Sequence, residues 1–428
     1  SIDIMIGPRS ALFAPFSRLG LIIMDEEHDT AYNSEQVPRY HARDAALRRA
    51  QLAGAGVVLG SATPSLETYS SALSGSCGLF RLTARAAAGR RLPSVELVDL
   101  RKELLAGNKS IFSRRLSELM QEKLQRGEQI MLFLNRRGYS GFVSCRSCGK
   151  VITCPHCDVA LTAHAGGRLV CHYCGYEREM PDRCPECGSP YIAGFGVGTQ
   201  KVEAAVRRLF PEARVLRMDL DTTARKDGHY RILSAFAAGR ADILIGTQMI
   251  VKGHDFPQVT LVGILAADLS LYGDDFRSAE RTFQLLTQAA GRAGRAGAAG
   301  NVVIQTYSPD HYAVSTAARQ DYEGFYRNEM TFRRLMGYPP AGCMMSVLAL
   351  SPVQETALAE MEALRQRILQ AVTDPALRII GPSAAGIARI QDVYRVQMFI
   401  RHSDRQVLFT VRALILDTED CRFQADLL

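Results

Sequence analysis

The chain has 428 residues, 51 Lys and Arg against 44 Asp and Glu, a net charge of +7, 35 Gly, 11 Cys and no Trp. An apolar fraction of 47% and a charged fraction of 22% are ordinary globular values, which exclude a disordered, collagen-like or coiled-coil chain. At roughly 150 residues per domain the length suggests two to four domains. No apolar run approaches the ~18 residues that span a bilayer, and no basic segment followed by an apolar run marks a secretory signal. A cytoplasmic protein without a membrane partner is therefore expected. Ser1 leads directly into Ile2-Asp3-Ile4-Met5-Ile6, which reads as a start inside a domain.

In chain order, Leu19 to Met24 predicts a strand ending in acid, His41 to Leu52 a helix, and Val57 to Leu59 a strand running into Gly60-Ser61-Ala62-Thr63-Pro64. Ile130 to Leu134 predicts a strand before the cysteines. Beyond them follow a helix (Gln200 to Leu209), a strand (Val215 to Met218), a helix (Tyr230 to Ala238) and two strands (Ile243 to Ile245, Val259 to Leu265). A helix (Arg277 to Ala290) and a strand (Val302 to Thr306) complete the alternation. This rhythm predicts α/β parallel sheets with ligand loops at the carboxyl ends of the strands. Residues 310–338 read as helical up to Gly337-Tyr338-Pro339-Pro340, a breaker. The remainder reads βαββαβ: strands at Met345 to Leu350, Leu377 to Ile380, Arg395 to Ile400 and Cys421 to Gln424, with helices at Glu355 to Val372 and Arg405 to Leu416. That order predicts a small split α/β domain.

Eight cysteines fall into four Cys-x-x-Cys pairs, Cys145-Cys148, Cys154-Cys157, Cys171-Cys174 and Cys184-Cys187. Clustered thiols at this spacing predict tetrahedral zinc, two four-cysteine sites in all. The spacers are five, thirteen and nine residues. The thirteen-residue one is long enough for the hairpin that closes a zinc ribbon, and the five-residue one is too tight for it. A nested pairing is expected: Cys154, Cys157, Cys171 and Cys174 around an inner Zn2+, and Cys145, Cys148, Cys184 and Cys187 around an outer one. Each zinc supplies on the order of 10 kcal/mol of folding free energy. His156 and His172 lie inside the knuckles, but eight thiols make them solvated bystanders. Cys77, Cys343 and Cys421 are ordinary thiols.

Leu21 to His28 has the form of a strand delivering acids to a nucleotide. Asp25 is suited to hold Mg2+, and Glu26 to polarise the water that attacks the γ-phosphate. The Gly60 loop and the loop from Gly246 through Lys252 follow further strands. Gln288-Ala289-Ala290-Gly291-Arg292-Ala293-Gly294-Arg295 sets two arginines at i, i+3 on one expected helical face, where they suit charge developing on a phosphoryl group. Together these segments predict an ATP- and Mg2+-dependent motor whose nucleotide-binding residues are Asp25, Glu26, Gly246, Lys252, Gln288, Arg292 and Arg295. Single-stranded DNA held by stacking and basic side chains suits Arg9, Tyr32, Arg39, Tyr40, Arg136, Arg137 and Tyr139.

The order of these boxes resembles that of superfamily-two helicases. Arg9 to Phe16, Tyr40 to Asp44, Phe133 to Tyr139, the eight-cysteine insert and Leu335 to Pro340 resemble, more narrowly, the primosomal protein N′ (PriA) family of bacterial replication-restart helicases. The resemblance implies two RecA-like lobes, the first incomplete: residues 1–110 as the end of lobe 1, 111–143 as the start of lobe 2, and 144–190 as a double zinc-ribbon insert. Residues 191–338 then continue lobe 2 and 339–428 form the C-terminal α/β domain. It implies 3′-to-5′ unwinding at stalled forks (forked, single-stranded and duplex DNA) and assembly with single-stranded DNA-binding protein and other primosome proteins. Tyr394-Arg395-Val396-Gln397 resembles a family segment and is a candidate for such contacts. No Gly-x-x-x-x-Gly-Lys-Ser/Thr occurs in the chain, so a start downstream of that loop is expected, and a non-catalytic DNA-binding scaffold is the competing expectation for these residues. The Asp29 to Tyr40 segment, aromatic-rich in the family, holds only Tyr32 and Tyr40, with Pro38 where an aromatic is common.

Overall fold

The apolar runs are strands in the computed structural model, which describes residues 3–34, 39–82, 93–134, 142–157, 159–164, 166–194, 198–223, 228–251, 256–273, 275–294 and 300–428, the side chains of 220 and 221 excepted. The chain divides into two units, 1–81 and 82–428. In the first, β1 (Leu21–Met24) and β2 (Gly56–Leu59) pair in parallel, Met24 beside Leu59. The Ala42–Ala53 helix buries Ala42, Ala46 and Ala50 at four-residue spacing, and the first two pack with Met24. Gly54, at φ +65°, closes that helix in the left-handed conformation that glycine adopts freely.

In the second unit β3 (Ser94–Asp99) and β4 (Gln129–Leu134) precede five short strands of the Cys-rich segment. These are β5 (Val143–Cys145), β6 (Thr162–Ala163), β7 (Arg168–Val170), β8 (Glu177–Glu179) and β9 (Ile192–Gly194). Then come β10 (Val215–Met218), β11 (Ile243–Gly246), β12 (Val259–Leu265) and β13 (Asn301–Thr306). A parallel sheet runs β10-β11-β4-β12-β13-β3. β4, β11 and β12 are buried at every position, as central parallel strands covered on both faces must be. Phe112, Leu116 and Met120 on one side, and Val202 and Val206 of the Thr199–Leu209 helix, fill the core against Ile130, Leu132, Ile243 and Leu261.

Two boundaries differ from expectation. β3, which the expectation groups with residues 1–110, pairs in this second sheet beside β13 and belongs to the unit 82–428. Ser-Val-Glu-Leu-Val-Asp alternates polar with apolar, as an edge strand does, and lacks a continuous apolar run to announce it. Residues 310–338 form two helices, Tyr312–Ala318 and Tyr322–Met336. Gln320 turns left-handed at φ +54°, and the Asp321 carboxylate caps the second helix by accepting the Gly324 N–H.

The C-terminal strands β14 (Cys343–Ser351), β15 (Arg378–Ile390), β16 (Val393–His402) and β17 (Arg422–Leu427) form an antiparallel sheet in the order β15-β16-β14-β17. The Gln354–Ala371 and Arg405–Ala413 helices cover one face, completing the expected βαββαβ order. Among the described residues no helix is long and apolar enough to cross a membrane.

The domains of this unit meet at a buried charge cluster. Arg333 is fully enclosed; its Nε donates to Glu329 at 2.7 Å, one Nη to Glu280 at 3.0 Å and the other to the Pro339 carbonyl at 2.6 Å. The Tyr312 hydroxyl donates to Glu329 at 2.6 Å. Removing one partner from such a cluster strands the others in a medium that solvates charge poorly. Arg333→Ala is therefore expected to cost about 3–5 kcal/mol in urea unfolding; an unchanged midpoint contradicts it.

Candidate functional site

The clearest site is the Cys-rich segment, inserted between β4 and β10. Each knuckle repeats one backbone pattern. The N–H of its first cysteine donates to the carbonyl five residues on: Cys145 to Lys150, Cys154 to Val159, Cys171 to Tyr176 and Cys184 to Ser189. In three of them a glycine N–H also donates back to that cysteine's carbonyl: Gly149, Gly175 and Gly188, at φ +79°, +78° and +70°. Glycine is required there for the left-handed turn that folds two thiols toward one point. Asp158 takes this place in the remaining knuckle and lies outside the described residues.

The thiols gather as the spacing predicts. Cys145, Cys148, Cys184 and Cys187 form one group and Cys154, Cys157, Cys171 and Cys174 the other, with every Sγ within 4.8 Å of the rest of its group. Sγ–Sγ distances are 3.6 Å for Cys145–Cys187, Cys148–Cys184 and Cys154–Cys174. A tetrahedron with Zn–S bonds of ~2.3 Å has edges of about 3.8 Å, so the cages fit zinc. Disulfides, at ~2.05 Å, are excluded, and all eleven cysteines are free thiols. The thiol of Cys157 and the N–H groups of Cys174 and Tyr173 draw Cys171 down to about 5, against burial. At Cys145, burial is outweighed by the N–H groups of Cys148 and Ser147, which bring that thiol to about 7. Thiolate is the form that ligates metal. His156 and His172 stand outside both cages; His172 Nε2 instead meets His164 Nε2 at 3.1 Å.

The thirteen-residue spacer closes as the β6–β7 hairpin, and β5–β9 closes the outer ring, pairing Cys145 with Ile192. The inner cage then serves as a joint. Tyr173, between its ligands, stacks on Phe399 of β16 at 4.7 Å, and its hydroxyl accepts the Phe276 N–H at 3.2 Å. The His172 carbonyl accepts from Ser383 of β15 at 3.1 Å and from Gln397 of β16. The outer cage docks through Arg146, whose guanidinium lies 5.0 Å from the Tyr307 ring centre just beyond β13. A Cβ on Gly149 would sit 2.4 Å from the Tyr307 carbonyl, so only glycine permits that approach.

The acid box lies at the tip of β1 in the first unit. The Gly60 N–H donates to the Met24 carbonyl at 2.8 Å and the Glu27 N–H to the Gly60 carbonyl at 3.0 Å, tying the tips of β1 and β2 together. Asp25 is exposed, and Glu26 adopts a left-handed φ of +48°. His28 Nδ1 meets Ser61 Oγ at 2.7 Å, which engages the Ser61-Ala62-Thr63 loop within this unit. The Tyr32 hydroxyl donates to the Asp25 carbonyl at 2.7 Å; burial, then the Asp25 carboxylate, raises its pKa. Arg9 donates to the carbonyls of Ala31 and Asn33 at 2.9 and 2.6 Å, and Tyr40 packs edge-on against Phe13 at 5.2 Å. These three candidates for DNA contact thus brace their own loop. Arg395 likewise donates to the Ile387 carbonyl at 3.2 Å.

In the second unit Gly246 ends β11, and a Cβ there would strike Ile250 at 2.4 Å. Gln288 lies in the last turn of the Ser278–Ala290 helix. The expected sharing of one helical face by Arg292 and Arg295 involves a residue outside the described ones, but Arg292 itself lies beyond the helix. Gly291 caps the helix after Ala290, and Arg292 sits in the following turn, its N–H donating to the Ala289 carbonyl at 3.1 Å. Lys252, Arg295, Arg136, Arg137, Tyr139 and Pro38 lie outside the described residues. Sequence reasoning missed Glu27, Arg43, Tyr173 and Arg333, whose partners are distant in the chain.

Three family models match: the PriA DNA helicase Cys-rich region over 154–178, the helicase conserved C-terminal domain over 197–297, and the primosomal protein N C-terminal domain over 334–421. The chain is similar to the replication restart protein PriA of Bacillus subtilis strain 168, at 50% identity over 97% of this chain and 52% of that protein. With its Synechocystis counterpart it shares 45% identity over 94% of this chain and 49% of that one. The chain thus spans about half the length of these curated relatives. A solved structure of Mycobacterium smegmatis helicase Lhr, described as bound to ssDNA and AMP-PNP, aligns at TM-score 0.38 and 16% identity over 74% of this chain and 32% of that one; so distant a likeness carries no argument.

Two zinc ions per chain are expected by elemental analysis. Cys174→Ser is expected to retain one, because the outer cage keeps all four thiolates; two full equivalents in that variant would contradict the pairing.

Proposed function

The chain belongs to the family of the replication restart protein PriA, and from that membership we propose that the whole protein is an ATP-dependent 3′-to-5′ DNA helicase. It recognises stalled or abandoned replication forks and initiates primosome assembly with single-stranded DNA-binding protein and other primosome proteins. The observation that carries this reading is the nested pair of four-thiol cages set into the parallel sheet whose later part matches the helicase C-terminal domain. That combination joins a motor fold to a metal-organised docking module in one unit.

Each motif has a role that its chemistry supports. Asp25, exposed at a strand tip, suits Mg2+, and Glu26 beside it suits the attacking water. Gly246, Lys252 and Gln288 suit nucleotide contact. Arg292 and Arg295 suit the charge that develops on the transferring phosphoryl. ATP, with its Mg2+, supplies the phosphoryl group and the free energy. Arg136, Arg137 and Tyr139 remain candidates for the single strand, by charge and stacking.

The scaffold reading is favoured for the 428 residues by themselves, because they contain no Gly-x-x-x-x-Gly-Lys-Ser/Thr. They are expected to show no DNA-stimulated ATP hydrolysis, whereas a full-length protein carrying that loop hydrolyses ATP. In that protein Arg292→Ala is expected to abolish hydrolysis while zinc content stays at two per chain. A full-length protein that binds forks yet hydrolyses nothing would establish the scaffold instead.

A further inference from the structure

The acid box carries a third carboxylate that neither proposed role uses. Glu27 is 1% exposed, while Asp25 on the same turn is open to solvent. Its Oε1 accepts the Ser65 N–H at 2.7 Å. Its Oε2 accepts the Ser65 hydroxyl at 3.1 Å and the Thr68 hydroxyl at 2.9 Å. Arg43 approaches the same oxygen at 3.9 Å and donates to Ser65 Oγ and Thr68 Oγ1 at 3.1 and 3.2 Å. One carboxylate thus joins the acid box, the start of the Leu66–Leu73 helix and the Ala42–Ala53 helix. A buried carboxylate is costly unless its oxygens are satisfied, and here they are.

This network is more than a helix cap. Ser65 Oγ already accepts the Thr68 N–H, which is the ordinary capping bond. What lies next to Glu27 is Glu26, whose φ of +48° is strained for a side-chain-bearing residue and persists only where the surroundings enforce it. On its far side the Glu26 carbonyl accepts the Asp29 N–H at 2.8 Å, and on its near side the Glu26 N–H donates to Asp25 Oδ1 at 3.0 Å. The anchored Glu27 fixes the peptide between these bonds.

We propose that Glu27 is a positioning residue: its buried carboxylate locks the acid box onto Ser65, Thr68 and Arg43 and so holds Glu26 in the left-handed conformation from which it acts on water. This rests on the hydrolytic reading of the box. The test uses the full-length protein and measures kcat and KM for ATP with saturating single-stranded DNA, together with Tm and zinc content. Glu27→Ala is expected to lower kcat by about 10²-fold, the scale of a misplaced catalytic group, with KM for ATP held within about twofold. Glu27→Gln, which keeps a carbonyl acceptor for the Ser65 N–H, is expected to recover part of that loss. Wild-type kcat in a folded Glu27→Ala protein overturns the proposal, as does a kcat loss matched by KM and unrelieved by Gln. If the Ala variant does not fold, the Gln variant decides: reduced kcat at unchanged KM supports positioning, and unchanged kcat overturns it. Wild-type protein that hydrolyses no ATP defeats the hydrolytic reading first, and this proposal with it.

Discussion

Thiolate coordination at two tetrahedral points is the constraint on which the larger unit depends. Among its described residues the segment from Cys145 to Cys187 contains only two- and three-residue strands, little regular structure to hold its few buried apolar side chains in place. Four knuckles with one shared backbone pattern bring eight sulfurs into two cages instead. The shape thus imposed presents Tyr173, Arg146 and the His172 carbonyl in fixed directions. Without the metal, thiols this close would repel as thiolates or lose their ligand geometry as neutral groups.

From that constraint the domain arrangement within residues 82–428 follows. Tyr173 touches β16 through its ring and the segment leading into the Ser278–Ala290 helix through its hydroxyl. The same helix carries Glu280, which holds Arg333, and ends where Arg292 begins its turn. Phe276 stacks on Tyr338 at 4.9 Å, and Arg401 of β16 donates to the Met336 carbonyl at 2.5 Å. Metal cage, six-stranded parallel sheet and C-terminal sheet therefore share one buried junction around Phe276, Arg333 and Tyr338. A cluster this apolar, with Arg333 fully paired at its centre, is rigid because no member can leave without exposing a charge or an aromatic face.

Much of this was legible in the sequence where the controlling interaction is local. Cys-x-x-Cys spacing dictates a knuckle through its own turn, and spacer length then selects partners, so the nested cages could be read directly. Central strands such as β4 declare themselves by unbroken apolar runs, here Ile130 to Leu134, and βαββαβ by its alternation. What escaped depends on distant partners. Glu27 follows two acids in the sequence like a third exposed one, and only its contacts with Ser65, Thr68 and Arg43 show that it is buried and paired. Arg333 looks like a solvated arginine until Glu280, 53 residues away in the chain, meets it. β3 hides because an edge strand needs only one apolar face, and Arg292 follows the Ser278–Ala290 helix in a turn after its Gly291 cap.

Zinc in the inner cage, on this view, locks the C-terminal sheet and the six-stranded parallel sheet together through the Cys171–Cys174 knuckle. Hydrogen exchange before and after zinc is withdrawn by a chelator tests it most directly. Amides in Asp275–Ser278 and Ser383–Ala385 are predicted to lose protection together, while the fully buried strands β4, β11 and β12 keep theirs. Unchanged exchange at both junction segments in metal-free protein would contradict it.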